Sequence, residues 1–147
     1  MNSLMQQLNP YPFARLRALM QDINPPENVQ PVMLHIGEPK HATPQVIQDA
    51  LVNNLSGLAK YPASKGITEL RAVCSAWLKR RYQIDVNEET QILPVNGSRE
   101  ALFAFVQVVL DAQSDVKPVV ISPNPFYQIY EGATLLAGGE VVYVNCN

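Results

Sequence analysis

Cysteine is scarce: the 147 residues contain two, Cys74 inside a helical pattern and Cys146 near the end. That supplies neither a disulfide framework nor a metal-binding set. Histidine is as sparse, and His35 and His41 belong to no cluster with cysteine, so both read as structural or surface residues. An excess of one charge is also missing, with 11 Lys and Arg against 13 Asp and Glu and a net charge of -2. The basic residues are scattered, which leaves no electrostatic footprint for nucleic acid or for an anionic membrane surface. The longest nearly unbroken apolar stretch, Ala101 to Leu110, is too short to span a bilayer, and the opening MNSLMQQLNPYPF lacks the basic start and apolar core of a secretory signal. These absences predict a cytoplasmic protein with no nucleic-acid, membrane or metal partner.

What is present is an ordinary globular composition, 47% hydrophobic and 16% charged, which predicts a real core. Twelve prolines, eight of them in the first 62 residues, predict a front section of turns and extended pieces.

Residues 1 to 12 read as an irregular arm. Phe13, Leu16, Leu19, Met20 and Ile23 recur at helical spacing until Pro25-Pro26 ends the pattern. Val32 to Ile36 reads as a short strand. Thr43 and Pro44 then predict a helix with Thr43 as N-cap and Pro44 at the first helical position, burying Val46, Ile47, Ala50, Leu51 and Leu55. After a loop from Gly57 to Gly66, the residues Ile67, Leu70, Val73, Cys74, Trp77 and Leu78 predict another helix. Glu69 in its first turn and Lys79-Arg80-Arg81 in its last complement the dipole, so that basic triplet reads as a solvated helix end.

From residue 91 the pattern changes. Ile92 to Val95, Val119 to Ser122 and Val141 to Val144 are apolar, largely β-branched runs, expected of parallel strands covered on both faces. Between them lie a helix over 98 to 111, apolar on nearly every side and therefore expected to be deeply buried, and a helix over 126 to 137 ended by Gly138-Gly139. The prediction is an α/β fold built on a βαβαβ unit, with ligand contacts at the carboxyl ends of the strands. The unit breaks off just after its last apolar run, which predicts an open sheet edge.

Asn96-Gly97-Ser98-Arg99-Glu100 falls at one such carboxyl end. The first amides of a helix lack internal partners and carry the positive end of its dipole, and glycine lets an anion approach the backbone. A plain turn with Ser98 as N-cap accounts for the same residues without any ligand.

Four stretches in fixed order bear on that choice. They are Ile36-Gly37-Glu38-Pro39 with Thr43-Pro44; Tyr61 with Gly66 and Leu70-Arg71; Asn96-Gly97-Ser98-Arg99-Glu100-Ala101; and Pro123-Asn124-Pro125-Phe126-Tyr127 with Tyr130. Together they resemble the front part of a class I/II aminotransferase of the fold type I, pyridoxal-phosphate-dependent kind. The wording IGEPKHATP, PVNGSREALFAF and PNPFYQIYEGA is most similar to the succinyldiaminopimelate branch of that family, which serves lysine and diaminopimelate biosynthesis. The resemblance implies a three-layer, mainly parallel sheet in the large domain. Residues 1–42 would be the N-terminal arm and a small-domain segment, and residues 43–147 the incomplete first half of the cofactor domain.

It also implies roles. The amides of Gly97, Ser98 and Arg99 would hold the phosphate of pyridoxal 5′-phosphate, with the Ser98 hydroxyl adding to them, while the Arg99 side chain faces solvent. Tyr127 would stack on the pyridine ring, Tyr61 would reach the phosphate of the neighbouring subunit in a homodimer, and Gly37 would lie beside the substrate carboxylate. Without the resemblance, Tyr127 reads as a helix-start aromatic, Tyr61 as loop packing and Gly37 as a turn.

The family's catalytic lysine, its acid on the pyridine nitrogen and its substrate-clamping arginine all lie downstream of the matched region. No catalytic residue is therefore expected among the five lysines, Lys40, Lys60, Lys65, Lys79 and Lys117; Ser64-Lys65 lacks the preceding strand and aspartate. The expected whole protein moves an amino group between glutamate and a keto acid, N-succinyl-2-amino-6-oxopimelate by the wording above. This chain would be its inactive amino-terminal fragment. The alternatives are an aminotransferase of aspartate, alanine or aromatic specificity, or a non-catalytic truncated protein acting in dimerisation or regulation.

Overall fold

The computed structural model describes residues 2–146. The chain divides into two compact units, one formed by Met1–Ile23 with Val95–Asn147, the other by Asn24–Pro94.

In the first unit a 3-10 turn, Ser3–Gln7, capped by the Asn2 side chain, leads to helix α1, Pro12–Met20, which carries proline in its opening turn. The remainder is helix α4 (Ser98–Val109), strand β1 (Val119–Asn124), helix α5 (Gln128–Leu136) and strand β2 (Glu140–Asn145). The strands pair in parallel, in a register running from Val119 opposite Glu140 to Asn124 opposite Asn145, joined by the α5 crossover. Gly138, at φ +79, closes α5 in the left-handed conformation that glycine adopts without strain. The carboxyl ends of the strands are fastened together, Asn124 Nδ2 donating to Asn145 Oδ1 at 2.9 Å and the Cys146 amide to the Asn124 carbonyl.

The second unit holds helix α2 (Gln45–Asn53), a 3-10 turn (Leu55–Ala59) and helix α3 (Thr68–Tyr82). Its anchor is Arg71, 4% exposed. The Arg71 guanidinium donates to the carbonyls of Lys65, Gly66 and Glu88 and to the Glu89 carboxylate at 2.7 Å, fastening the loops on either side of α3. Beside it Ser75 Oγ donates to the Val86 carbonyl.

Several expectations are corrected. Ile92 to Val95 forms no strand: Pro94 has no amide to give a ladder, and the segment joins no sheet among the described residues. Val32 to Ile36 likewise joins no strand ladder among the described residues, so the described sheet is β1 and β2 alone. α2 starts one residue later than expected, with Pro44 at the cap position. Thr43 therefore caps nothing, and its carbonyl accepts from Gln48 Nε2.

The burial of α4 is the largest departure. None of its residues is buried, and Val108 is 85% exposed, because α5 packs on one side and, among the described residues, no other element packs closely against it. The strands too are open on much of their surface, and Ala133 is the one buried hydrophobic residue among those described. Composition supplied the apolar side chains, but their burial depends on what is packed against them.

Candidate functional site

The site begins at the amino end of α4. Gly97 precedes the helix in an extended conformation and Ser98 is the first helical residue, so the predicted role of Ser98 as N-cap is corrected. No side chain caps this end. The opening amides consequently point out of the helix without an internal acceptor, and the Ser98 hydroxyl is not committed to capping. Gly97 is in close quarters, since a Cβ there would stand 2.6 Å from Glu100 Oε2. The Glu100 carboxylate is thus turned towards the helix start, where the dipole favours it. It is the exposed end of a flexible side chain and can swing away from an incoming anion.

The second wall comes from the end of β1. The strand stops at Asn124, the Asn124–Pro125 peptide is cis, and Phe126 and then Tyr127, the latter with extended backbone, lead into α5. Tyr127 is the residue preceding the helix, not part of its first turn as the pattern suggested. Its ring meets Tyr130 edge-on, with centroids 5.8 Å apart.

Arg99 joins the two walls. Its Nε donates to Tyr127 Oη at 2.9 Å, and the guanidinium carbon lies 5.7 Å from the centre of the same ring. These contacts hold the guanidinium charge: its pKa is raised, first by the Tyr127 hydroxyl and then by that of Tyr11. The side chain is solvent-exposed, as expected, and it also has a partner in Tyr127. No sequence period marks the contact, because the two residues meet only through the βα turns that carry them.

Around them lies a groove of about 880 Å³ within the first unit, lined by Tyr11, Phe13, Arg99, Phe126, Tyr127 and Tyr143 among others. On its floor Glu131 Oε1 accepts from both Asn9 Nδ2, at 3.1 Å, and the Tyr143 hydroxyl, at 2.7 Å. Partial burial, and then this carboxylate, push the Tyr143 phenol up to about 12. Neither Glu131 nor Tyr143 was singled out by sequence.

Gly97, Ser98, Arg99 and Tyr127 are thus brought into one unit. Gly37 and Tyr61 belong to the other. A Cβ on Gly37 would meet nothing within 4 Å, and Tyr61 is 98% exposed. Arg71 appears in the sequence only within a motif, and its role as loop anchor was missed. The available signal was its position, three residues before Cys74 and seven before Leu78 on the apolar stripe of α3.

Among the described residues no group of His, Cys, Asp and Glu could hold a metal ion, and no helix is long and apolar enough to cross a membrane. The groups present do fit pyridoxal 5′-phosphate. An uncapped helix start preceded by glycine suits a phosphate, and an accessible aromatic ring beside it suits a flat heterocycle.

Comparison with known proteins agrees. The family described as aminotransferase class I and II matches residues 29–147. An LL-diaminopimelate aminotransferase of Desulforudis audaxviator is 32% identical over 136 residues, covering 91% of this chain and 33% of its own length. An aspartate aminotransferase of Bacillus subtilis is 38% identical over 112 residues, covering 76% and 27%. The crystal structure of an aminotransferase from Neisseria meningitidis superposes with a TM-score of 0.89 at 60% identity, covering 99% of this chain and 37% of that one. The chain therefore spans about a third of the length of the curated relatives it matches. On the extent of the family match and these relatives, the chain belongs to the class I and II aminotransferases, pyridoxal-phosphate-dependent enzymes, and carries part of their fold type I α/β architecture.

Proposed function

We propose that this chain supplies the phosphate cradle and the ring-stacking wall of an aminotransferase that moves an amino group from glutamate to a keto acid. The observation that carries this reading is the meeting of the uncapped start of α4 with Tyr127 through Arg99. The amides of Gly97, Ser98 and Arg99 bind the phosphate, the Ser98 hydroxyl adds a donor, and the Tyr127 ring holds the plane of the heterocycle. Pyridoxal phosphate, when bound, supplies the electron sink that stabilises negative charge at the substrate α-carbon.

The remaining roles follow from the family resemblance. Gly37 borders the substrate carboxylate, and Tyr61 of one subunit reaches the phosphate site of another in a cytoplasmic homodimer. Residues 1–42 form the arm and small-domain segment, and 43–147 the first half of the large domain. The proton-moving lysine is none of the five in this chain, so the 147 residues alone transfer no amino group.

For the substrate we favour N-succinyl-2-amino-6-oxopimelate. The support is the wording of the three motifs together with likeness to an enzyme named for LL-diaminopimelate, which shares the substrate's carbon skeleton. The likeness to an aspartate aminotransferase favours oxaloacetate as the second reading. The test is the full-length enzyme assayed with glutamate and each keto acid. The expected result is the higher kcat/KM for the succinylated substrate, and a higher value for oxaloacetate would overturn the choice.

A further inference from the structure

We propose that the Arg99 side chain, as distinct from its backbone amide, is a positioning residue that fixes the orientation of the Tyr127 ring. This rests on the reading of Tyr127 as the ring that stacks on the cofactor. Tyr127 stands on extended backbone just ahead of α5 and is 41% exposed, so the backbone alone leaves its ring free to turn. Two contacts restrain it at different points. Tyr130 touches the ring edge-on at 86°, and Arg99 Nε holds the hydroxyl at 2.9 Å, with the guanidinium carbon 5.7 Å from the ring centre.

Arg99 is placed to do this because it occupies the second residue of α4, so that a single position offers its amide to the phosphate and its side chain to the ring. The phosphate cradle and the stacking wall are then registered to one another by one residue. Lysine would keep the charge but lose the planar, multiply donating guanidinium. Methionine would keep the amide and much of the length and lose both the bond and the charge.

The test is a double-mutant cycle in the full-length enzyme, stripped of cofactor and titrated with pyridoxal 5′-phosphate, together with a thermal melt of each variant. Arg99 is exposed, so R99M is expected to leave the melting midpoint nearly unchanged. R99M and Y127F should each weaken cofactor binding about three- to tenfold, the scale expected when a side chain must be immobilised at the moment of binding. The double variant should be no weaker than either single one, and R99K should recover only part of the loss. Losses that multiply in the double variant would show Arg99 acting as a plain charge on the phosphate, and would overturn the proposal. So would an R99M dissociation constant equal to the wild type while Y127A binds weakly. If Y127A itself binds cofactor normally, the stacking role of Tyr127 fails and the proposal falls with it.

Discussion

The carboxylate of Glu100 stands against Gly97, so that a Cβ on Gly97 would lie 2.6 Å from Glu100 Oε2. Gly97 has an extended backbone that any residue can adopt, and the obstructing atom is the end of a flexible side chain. Gly97→Ala is therefore expected to cost less than about 1 kcal/mol of stability, the scale of an N-cap change. Yet it places a methyl group where the phosphate must approach the amides, and should weaken pyridoxal phosphate binding about tenfold or more in the full-length enzyme. Denaturant melts and cofactor titration on the same sample separate the two effects.

Arg71→Met should act on stability instead. It removes the donors of five half-buried contacts and leaves the carbonyls of Lys65, Gly66 and Glu88 without that partner. The expected loss is about 2–4 kcal/mol, with Arg71→Lys intermediate, measured by urea denaturation of the full-length protein.

The Tyr143 phenol carries a pH signature. Its folded value, near 12, lies above the ordinary 10.0, so the protonated phenol is the form the fold favours. Its contribution to stability is then complete below pH 10.0 and is lost as the pH rises through about 12. Glu131→Gln should lower the phenol's titration midpoint without returning it to the ordinary value, since burial is the larger cause. Phenolate ultraviolet absorbance with pH checks both statements, with Tyr143→Phe identifying the signal.

The open faces of α4 and of the sheet predict the behaviour of the 147 residues in isolation. With Phe105, Val108, Ile121 and Val144 all exposed, the chain should bind a hydrophobic dye strongly and self-associate. A sharp, cooperative melt of a monomer in the ultracentrifuge would contradict this.

How much of this was legible in the sequence depends on the range of the interaction. The helical period of α3 and its charged ends, the two apolar runs of β1 and β2, and the glycine stop after α5 are local features, and each appears where the pattern placed it. The ordered motifs likewise pointed to the family. The strand expected at Ile92 to Val95 failed because an apolar run says nothing of a partner, and Pro94 weakens the ladder. The burial of α4 failed for a related reason, since hydrophobicity reports a need for cover and not its presence. The contacts of Arg71 with Glu88 and Glu89 and of the Arg99 side chain with Tyr127 were not legible because the partners lie 17, 18 and 28 residues away, beyond any periodicity.

The central claim, that the start of α4 cradles the cofactor phosphate beside Tyr127, is tested most directly by locating the phosphate in the full-length enzyme crystallised with pyridoxal 5′-phosphate. The account predicts phosphate oxygens within hydrogen-bond distance of the Gly97, Ser98 and Arg99 amides, with the pyridine ring against Tyr127. A phosphate held elsewhere, with those amides facing only water, would contradict it.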